Sequence, residues 1–234
     1  ATNINASALR ATGGISLGGA VQLNNDVTFT SGPGGLEFLG GMNSDSPSTP
    51  RSIVLNCPGE MFINGSVGAT NRLASITTSG GGTIRLAAPQ IRTTATQDYA
   101  SAVIIEDSTA FTGSSISFAS TIDSGVFGAR AVSVNANGGS VLFTQAIGSN
   151  AALSQFSVTA TSFTLPSVVT TGSQTYTGIT TLTGDLTSTG AGAIAFSGVS
   201  QLDADVTITT GGHTGDNVSF ASTLNAKNTS RALT

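Results

Sequence analysis

The residues of this chain that could do acid–base chemistry are few, and the densest group lies near its end. Asp203 and Asp205 alternate along one strand-like segment, so both carboxylates would point to the same side of it. His213, the single histidine, and Asp216 follow within a few residues. A β-helical polysaccharide hydrolase or lyase would also need basic or further acidic groups in the same groove. The sequence favours a solvated edge here, and we expect no enzyme activity and no catalytic residue.

The sequence also offers few residues that could form a metal or cofactor site. Asp203, Asp205 and Asp216 could bind calcium, but the Gly-Gly-x-Gly-x-Asp turns of calcium-binding β-rolls do not occur. Cys57 is the only cysteine, which excludes an internal disulfide and any site built from several thiolates. The glycine run 80–82 lacks a following Gly-Lys-Ser/Thr, so it predicts a turn. We therefore expect neither a metal nor a cofactor.

One polar insert is the best candidate for a specific contact with a partner. Loops on a rigid scaffold often carry binding, and this segment interrupts an otherwise repetitive pattern. The alternative interpretation, which we favour, is an excursion that the fold tolerates and that binds nothing. The residues of the insert are Asn43, Ser44, Asp45, Ser46, Pro47, Ser48, Thr49, Pro50 and Arg51.

Composition excludes several classes of function. Only 9% of the residues are charged and the net charge is −4, with eight basic residues spread singly, so nucleic acid is not an expected partner. No long unbroken apolar stretch occurs, which argues against membrane insertion. The chain starts at Ala1 without a signal peptide, so we expect a mature product or a piece of something longer. The near absence of cysteine fits an extracellular or cell-surface location.

Short apolar bursts recur along the whole chain with a period of two residues. Examples are 27–29, 116–118 and 206–208, where β-branched or aromatic residues alternate with polar ones. Each burst spans three to five residues and is bounded by turn formers such as those at 137–139. No amphipathic run at helical spacing is present. The pattern predicts an all-β chain of many short strands.

The segments 11–23, 93–105 and 170–182 align, with Leu17, Tyr99 and Tyr176 at matching positions and a mean spacing of about 78 residues. We expect a single β-solenoid over 1–234, because each repeat must stack on a neighbour to bury its apolar face. About three coils per repeat would give roughly nine in all, a rod on the order of 45 Å long. The repeats are expected at about 11–90, 91–167 and 168–234, the third continuing in register into 1–10.

The repeat resembles the filamentous-haemagglutinin-like β-helix repeats of very large secreted bacterial exoproteins. The segments 132–143, 170–182 and 186–196 carry the resemblance, which covers nearly the whole chain. The resemblance implies a right-handed parallel β-helix, secretion and a place outside the cell. Such arrays serve as stalks, adhesins and fibres alike, so it is a weak guide to function.

The sequence thus favours a structural rod whose coils stack end to end, because both ends of a solenoid expose unpaired strand edges and no polar cap is evident. The partner would be a second copy, head to tail, or flanking repeats of a longer chain. An adhesin stalk that binds glycans or another cell surface is the alternative, and an enzyme acting on glycans is a distant third. The expected stacking residues are Thr2, Ile4, Arg231, Leu233 and Thr234.

Overall fold

The structure is a computed structural model that describes residues 1–234. It is all-β, and it has no helix that could cross a membrane. The strands are β1 (Thr2–Ile4), β2 (Ala8–Arg10), β3 (Ile15–Leu17), β4 (Val21–Leu23), β5 (Val27–Thr30), β6 (Leu36–Phe38), β7 (Met42–Ser44), β8 (Ile53–Asn56), β9 (Met61–Asn64), β10 (Ile76–Ser79), β11 (Ile84–Ala87), β12 (Gln90–Arg92), β13 (Thr96–Tyr99), β14 (Val103–Ile105), β15 (Thr109–Thr112), β16 (Ser115–Phe118), β17 (Ile122–Ser124), β18 (Ala131–Asn135), β19 (Ser140–Phe143), β20 (Gln155–Leu165), β21 (Val168–Thr170), β22 (Gln174–Leu182), β23 (Leu186–Ser188), β24 (Ile194–Phe196), β25 (Ser200–Leu202), β26 (Ile208–Thr209), β27 (Val218–Phe220) and β28 (Leu224–Ala226).

All of these strands pair in parallel, and together they form a β-solenoid of about 11 coils with about 21 residues each. Every coil contributes one short strand or bridge to each of three faces. Face 1 begins with β1, β4 and β7, face 2 with β2, β5 and β8, and face 3 with β3, β6 and β9. The chain therefore visits the faces in the order 1, 2, 3 throughout, which confirms the predicted parallel solenoid.

Alternation within each strand places the core inside the triangular coil. In β5, Val27 and Phe29 are buried while Thr28 and Thr30 are half-buried, as the period of two predicts. The inward side chains form one hydrophobic core of 47 residues that continues from coil to coil. Aromatic rings stack along the axis, for example Tyr176 on Phe196 with 5.0 Å between ring centroids.

The number of coils differs from the expected nine, and the division into three long repeats is not confirmed. The solenoid has about 11 coils, not nine, so at about 4.8 Å per coil the rod is on the order of 50 Å long. The unit that repeats in space is the coil, and three repeats of about 78 residues are not confirmed. The aligned residues Leu17, Tyr99 and Tyr176 lie on faces 3, 2 and 1 respectively, so they do not stack on one another.

Two strands are longer than the predicted three to five residues. β20 and β22 each run from face 1 to face 2 without a break, so they turn a corner of the coil as continuous strands. The pairing shifts between Thr159 and Ser162, and Gly178 has a φ of 123° at the same corner. A β-bulge and a glycine at this point bend the chain while the ladder continues.

Candidate functional site

The predicted contact insert forms a loop at the corner between β7 and β8. The Arg51 guanidinium donates two hydrogen bonds to the Asp45 carboxylate, at 2.8 and 2.9 Å, and Ser44 Oγ accepts a hydrogen bond from the Arg51 backbone N–H at 2.9 Å. The hydrogen bond from Arg51 and its positive charge lower the pKa of Asp45. The base of the loop is therefore closed by its own side chains, and only the tip, residues 46–50, is available to a partner.

The insert is also tied to the next coil. Asn43 Oδ1 accepts hydrogen bonds from the backbone N–H groups of Thr70 and Asn71, at 2.9 and 3.2 Å. Ser44 is buried, with 1% of its surface exposed. Asn43 and Ser44 thus belong to the scaffold, which narrows the predicted contact set of 43–51 to its middle residues.

A second loop of the same construction lies at residues 125–130, and the sequence reasoning missed it. Asp123 Oδ1 accepts hydrogen bonds from the backbone N–H groups of Asn150 and Ala151, at 2.9 and 3.3 Å. Ser124 Oγ accepts a hydrogen bond from the Arg130 backbone N–H at 2.9 Å. Each of these contacts has its counterpart about 80 residues earlier in the insert. The sequence did contain a signal for this second loop. The pairs Asn43-Ser44 and Asp123-Ser124 are each followed by an arginine, seven and six residues later respectively.

The two loops differ sharply in chemistry. The tip of the first is built from Ser, Thr and Pro, whereas the second exposes 88% of Val126 and 78% of Phe127. Gly125 stands where the first loop has Asp45, and no acidic side chain forms an ion pair with Arg130. An exposed aromatic residue and an unpaired arginine on a fixed base are typical of a contact site.

The carboxylates near the end of the chain each have a partner within the fold. Asp203 pairs with Lys227 at 3.0 Å, and Asp205 accepts a hydrogen bond from the Ala232 backbone N–H at 3.0 Å, both at the corner between faces 2 and 3. Asp216 lies at the corner between faces 3 and 1, and no group of three or more potential metal ligands occurs. The arrangement considered for calcium is therefore spread over two corners.

Asp216 makes hydrogen bonds that serve a structural role. Its carboxylate accepts hydrogen bonds from the backbone N–H groups of Gly192 and His213, both at 2.7 Å, and its side chain is only 3% exposed. The hydrogen bond from the His213 backbone is the main cause of the lowered pKa of Asp216. Asp216 thus holds a corner loop onto the preceding coil.

The outer surface of face 3 carries the other charged cluster, whose arginine pairs with carboxylates of neighbouring coils. Arg85 contacts Glu106 and, at 3.4 Å, Glu60, so it bridges three successive coils. Glu37 accepts a hydrogen bond from Ser16 Oγ at 2.7 Å. Hydrogen bonding and charge from Glu106 raise the pKa of Arg85. The cluster stabilises coil stacking and leaves no free acid–base pair.

Both ends of the solenoid are open. The strands of the first coil, β1–β3, and the last two strands, β27 and β28, each pair on one side only. Thr2 and Ile4 lie in β1, and Leu233 bridges to Val206 on face 3, so the structure places these predicted stacking residues at the ends. Arg231 and Thr234 flank that bridge, and Thr234 bonds to Val206 and Ile208. Apolar residues that the sequence reasoning missed there are Leu9, Ile15, Leu17, Ile208, Val218, Phe220 and Leu224.

Comparison with family models, with curated proteins and with solved structures finds no match to this chain.

Proposed function

We propose that the protein is a stiff extracellular structural rod, extended along its axis at both open ends by further coils. Those coils belong to a second copy or to flanking repeats of a longer chain. The observation that carries the proposal is the core of 47 buried residues, which continues through every coil and is not closed by a cap at either end.

The polar side chains support a structural role over a catalytic one. Asp26, Asp123, Asp185, Asp205 and Asp216 each accept a hydrogen bond from a backbone N–H group of another coil. Carboxylates used in this way satisfy corner backbone that no strand pairing reaches. The acidic groups that a glycan-active enzyme would need are thereby occupied in holding the coils together.

A tandem fusion without a flexible linker, called the direct fusion, tests the rod. Its two copies are joined from residue 234 to residue 1 through about five added residues, because Leu233 and Thr2 would otherwise be three residues apart where Gly13 and Val21, at the same positions in the coil, are eight apart. The direct fusion should form one straight particle, about 50 Å longer than a single copy, because the coil stack continues across the junction. The measurement is small-angle scattering together with electron microscopy of single particles. The control is the same pair of copies joined by a flexible Gly/Ser linker of about 20 residues. Two bodies at variable angles in the direct fusion would contradict the proposal.

Adhesion is the second candidate function, favoured by the exposed Val126 and Phe127 on their anchored loop. If the rod binds glycans through its corner loops, immobilised glycans should retain the protein, and loop variants should lose that binding. The informative variants are Phe127→Ser, and removal of residues 46–50 with the anchoring Asp45–Arg51 pair left in place. A wild-type protein that binds no glycan on a broad array would rule out this ligand class.

A further inference from the structure

The two open ends fit one another, and we infer that a second copy of this chain docks head to tail in one defined register. The inference rests on the proposed rod and names the partner of its open ends: β27 pairs with β1 of the next copy, and β28 with its β2. Residues 231–234 would extend the same contact on face 3.

The order of faces supports the fit. The first strand, β1, lies on face 1, while the bridge at Leu233 lies on face 3. Face 3 is followed by face 1 in every coil, so a second copy placed on the last coil continues the sequence of faces without rotation. If a face of the last coil met a different face of the next copy, the ladders would not continue.

Strand polarity favours a head-to-tail contact over a two-fold arrangement. All ladders are parallel, so an identical end turned over onto itself would present its strands in the antiparallel direction. Only a head-to-tail contact continues parallel pairing, and such a contact leaves an open end on each side of the pair. The expected product is an open filament and not a closed dimer.

The inward side chains set the register on face 1. Val218 and Phe220 continue the columns of Ile194 and Phe196, while Thr2 and Ile4 begin the columns of Val21 and Leu23. The column of Phe220 runs back through Ile91 and Met42 to Thr2, so continuing the ladder places Phe220 on Thr2 of the next copy. This contact covers Phe220, which is half-buried in the single chain.

Faces 2 and 3 pair large residues with small ones in the same register. Ala226 continues the column of Leu202 and would meet Leu9, which needs the space that an alanine leaves. On face 3, Leu233 continues the column of Val206, which leads to Gly13 of the next copy. A Cβ added at Gly13 would meet no atom within 4 Å, so that position is open to a neighbour.

Cysteine cross-linking tests the register directly, because facing Cα atoms of stacked parallel strands lie within the span of a disulfide. Asn3 of β1 and Ala221, the residue after β27, are exposed, outward-facing residues that face one another in this register, as do Ala8 and Asn225 of β2 and β28. In a Cys57→Ala background, mild oxidation of Asn3→Cys/Ala221→Cys or Ala8→Cys/Asn225→Cys should give a ladder of covalent oligomers. The ends of one copy lie on the order of 50 Å apart, so such bonds join different copies.

The matched control is Asn3→Cys/Asn225→Cys, which has equally exposed cysteines on different faces and should give no ladder. A ladder in the control, or filaments without a ladder in the two matched pairs, overturns the register. Monomers at every concentration in analytical ultracentrifugation overturn docking of a second copy. The direct tandem fusion would still form a straight rod in that case, so failure of this inference is distinguishable from failure of the proposed function.

Discussion

Two glutamine–tyrosine pairs in the core give the solenoid its most specific residue-level contacts. Gln97 is fully buried, and its Nε2 donates hydrogen bonds to the carbonyls of Ile91 and Thr112 and to Thr93 Oγ1, at 3.2, 2.9 and 3.3 Å. Its Oε1 accepts a hydrogen bond from the Tyr99 hydroxyl at 3.0 Å. The amide thus links two coils and satisfies the one polar atom of a buried ring.

The second pair repeats this arrangement. Gln174 Nε2 donates to Thr170 Oγ1 and to the Thr187 carbonyl, at 3.1 and 2.9 Å, and the Tyr176 hydroxyl donates to Gln174 Oε1 at 2.9 Å. The spacing Thr-x-x-x-Gln-x-Tyr in both places explains why the segments 93–105 and 170–182 align. The shared sequence encodes a network that fixes the stacking register, because a shifted coil would leave the amide unpaired.

Replacing Gln97 by leucine should lower the free energy of unfolding by about 2 kcal/mol, because the buried Tyr99 hydroxyl then lacks a partner. Chemical denaturation monitored by circular dichroism measures the change. The double variant Gln97→Leu/Tyr99→Phe should lose less than the sum of the two single losses, since the stranded hydroxyl is gone. Strict additivity would show that the two side chains are not coupled.

The same tyrosines predict a dependence on alkaline pH. Burial, and for Tyr99 also the negative charge of Asp98, raises the pKa of both Tyr99 and Tyr176 well above the ordinary value for tyrosine. The unfolded chain therefore releases protons near pH 10 while the folded chain retains them, so stability falls as the pH rises above about 10. Denaturation curves between about pH 8 and 11 should show this loss, and Tyr99→Phe/Tyr176→Phe should reduce it. An unchanged slope in that variant would contradict the assignment.

At the scale of elements, two glycines in turns determine how closely neighbouring coils can approach one another. Gly68 and Gly148 share a φ of 69°, and a Cβ at either position would lie 2.2 Å from a carbonyl oxygen of the next coil. Both turns lie opposite a corner loop, at Met42 and Ile122 respectively. The loops and the turns therefore form matched pairs across neighbouring coils.

Gly148→Ala should lower the free energy of unfolding by about 3 kcal/mol or more, since strain at positive φ adds to a backbone clash that only a shift of the coil relieves. Gly138→Ala separates these effects, because its φ is 84° but no atom lies within 4 Å of the added Cβ, so about 1–2 kcal/mol is expected. Gly18→Ala meets neither condition and serves as the neutral control. Equal losses in all three would refute the role of the close approach. Thermal melts provide the comparison.

The strands could be predicted from alternation, whereas their stacking could not. A period of two says that Val27 and Phe29 point inward, but it does not say which strand lies on which face. The apparent repeat misled because matching residues about 80 apart, such as Met42, Ile122 and Leu202, lie on faces 1, 3 and 2. Two of these positions lead into a corner loop and the third, before Asp203, does not, so the spacing alone does not predict the second loop from the first.

For the whole molecule, this shift of one face per step of about 80 residues has a geometric consequence. Three such steps bring a motif back to its original face, and along the way the corner features at 45–52, 125–130 and 203–205 point in three different directions around the axis. Ligands bound by neighbouring loops would therefore lie on different sides of the rod. A fibre of stacked copies would present each kind of loop along one line.

Open ends also make stability uneven along the axis. Coils in the middle have a neighbour on both sides, whereas β1–β3 and β27–β28 have one, so their amides should open first and exchange fastest with solvent. Hydrogen exchange read by mass spectrometry should show the slowest exchange in the central coils, around β13–β20. If copies dock as inferred, protection of the two end coils should rise with protein concentration while the centre stays unchanged. Equal protection along the whole chain would contradict the coil-by-coil description, because the end strands would then need a partner that the isolated chain does not contain.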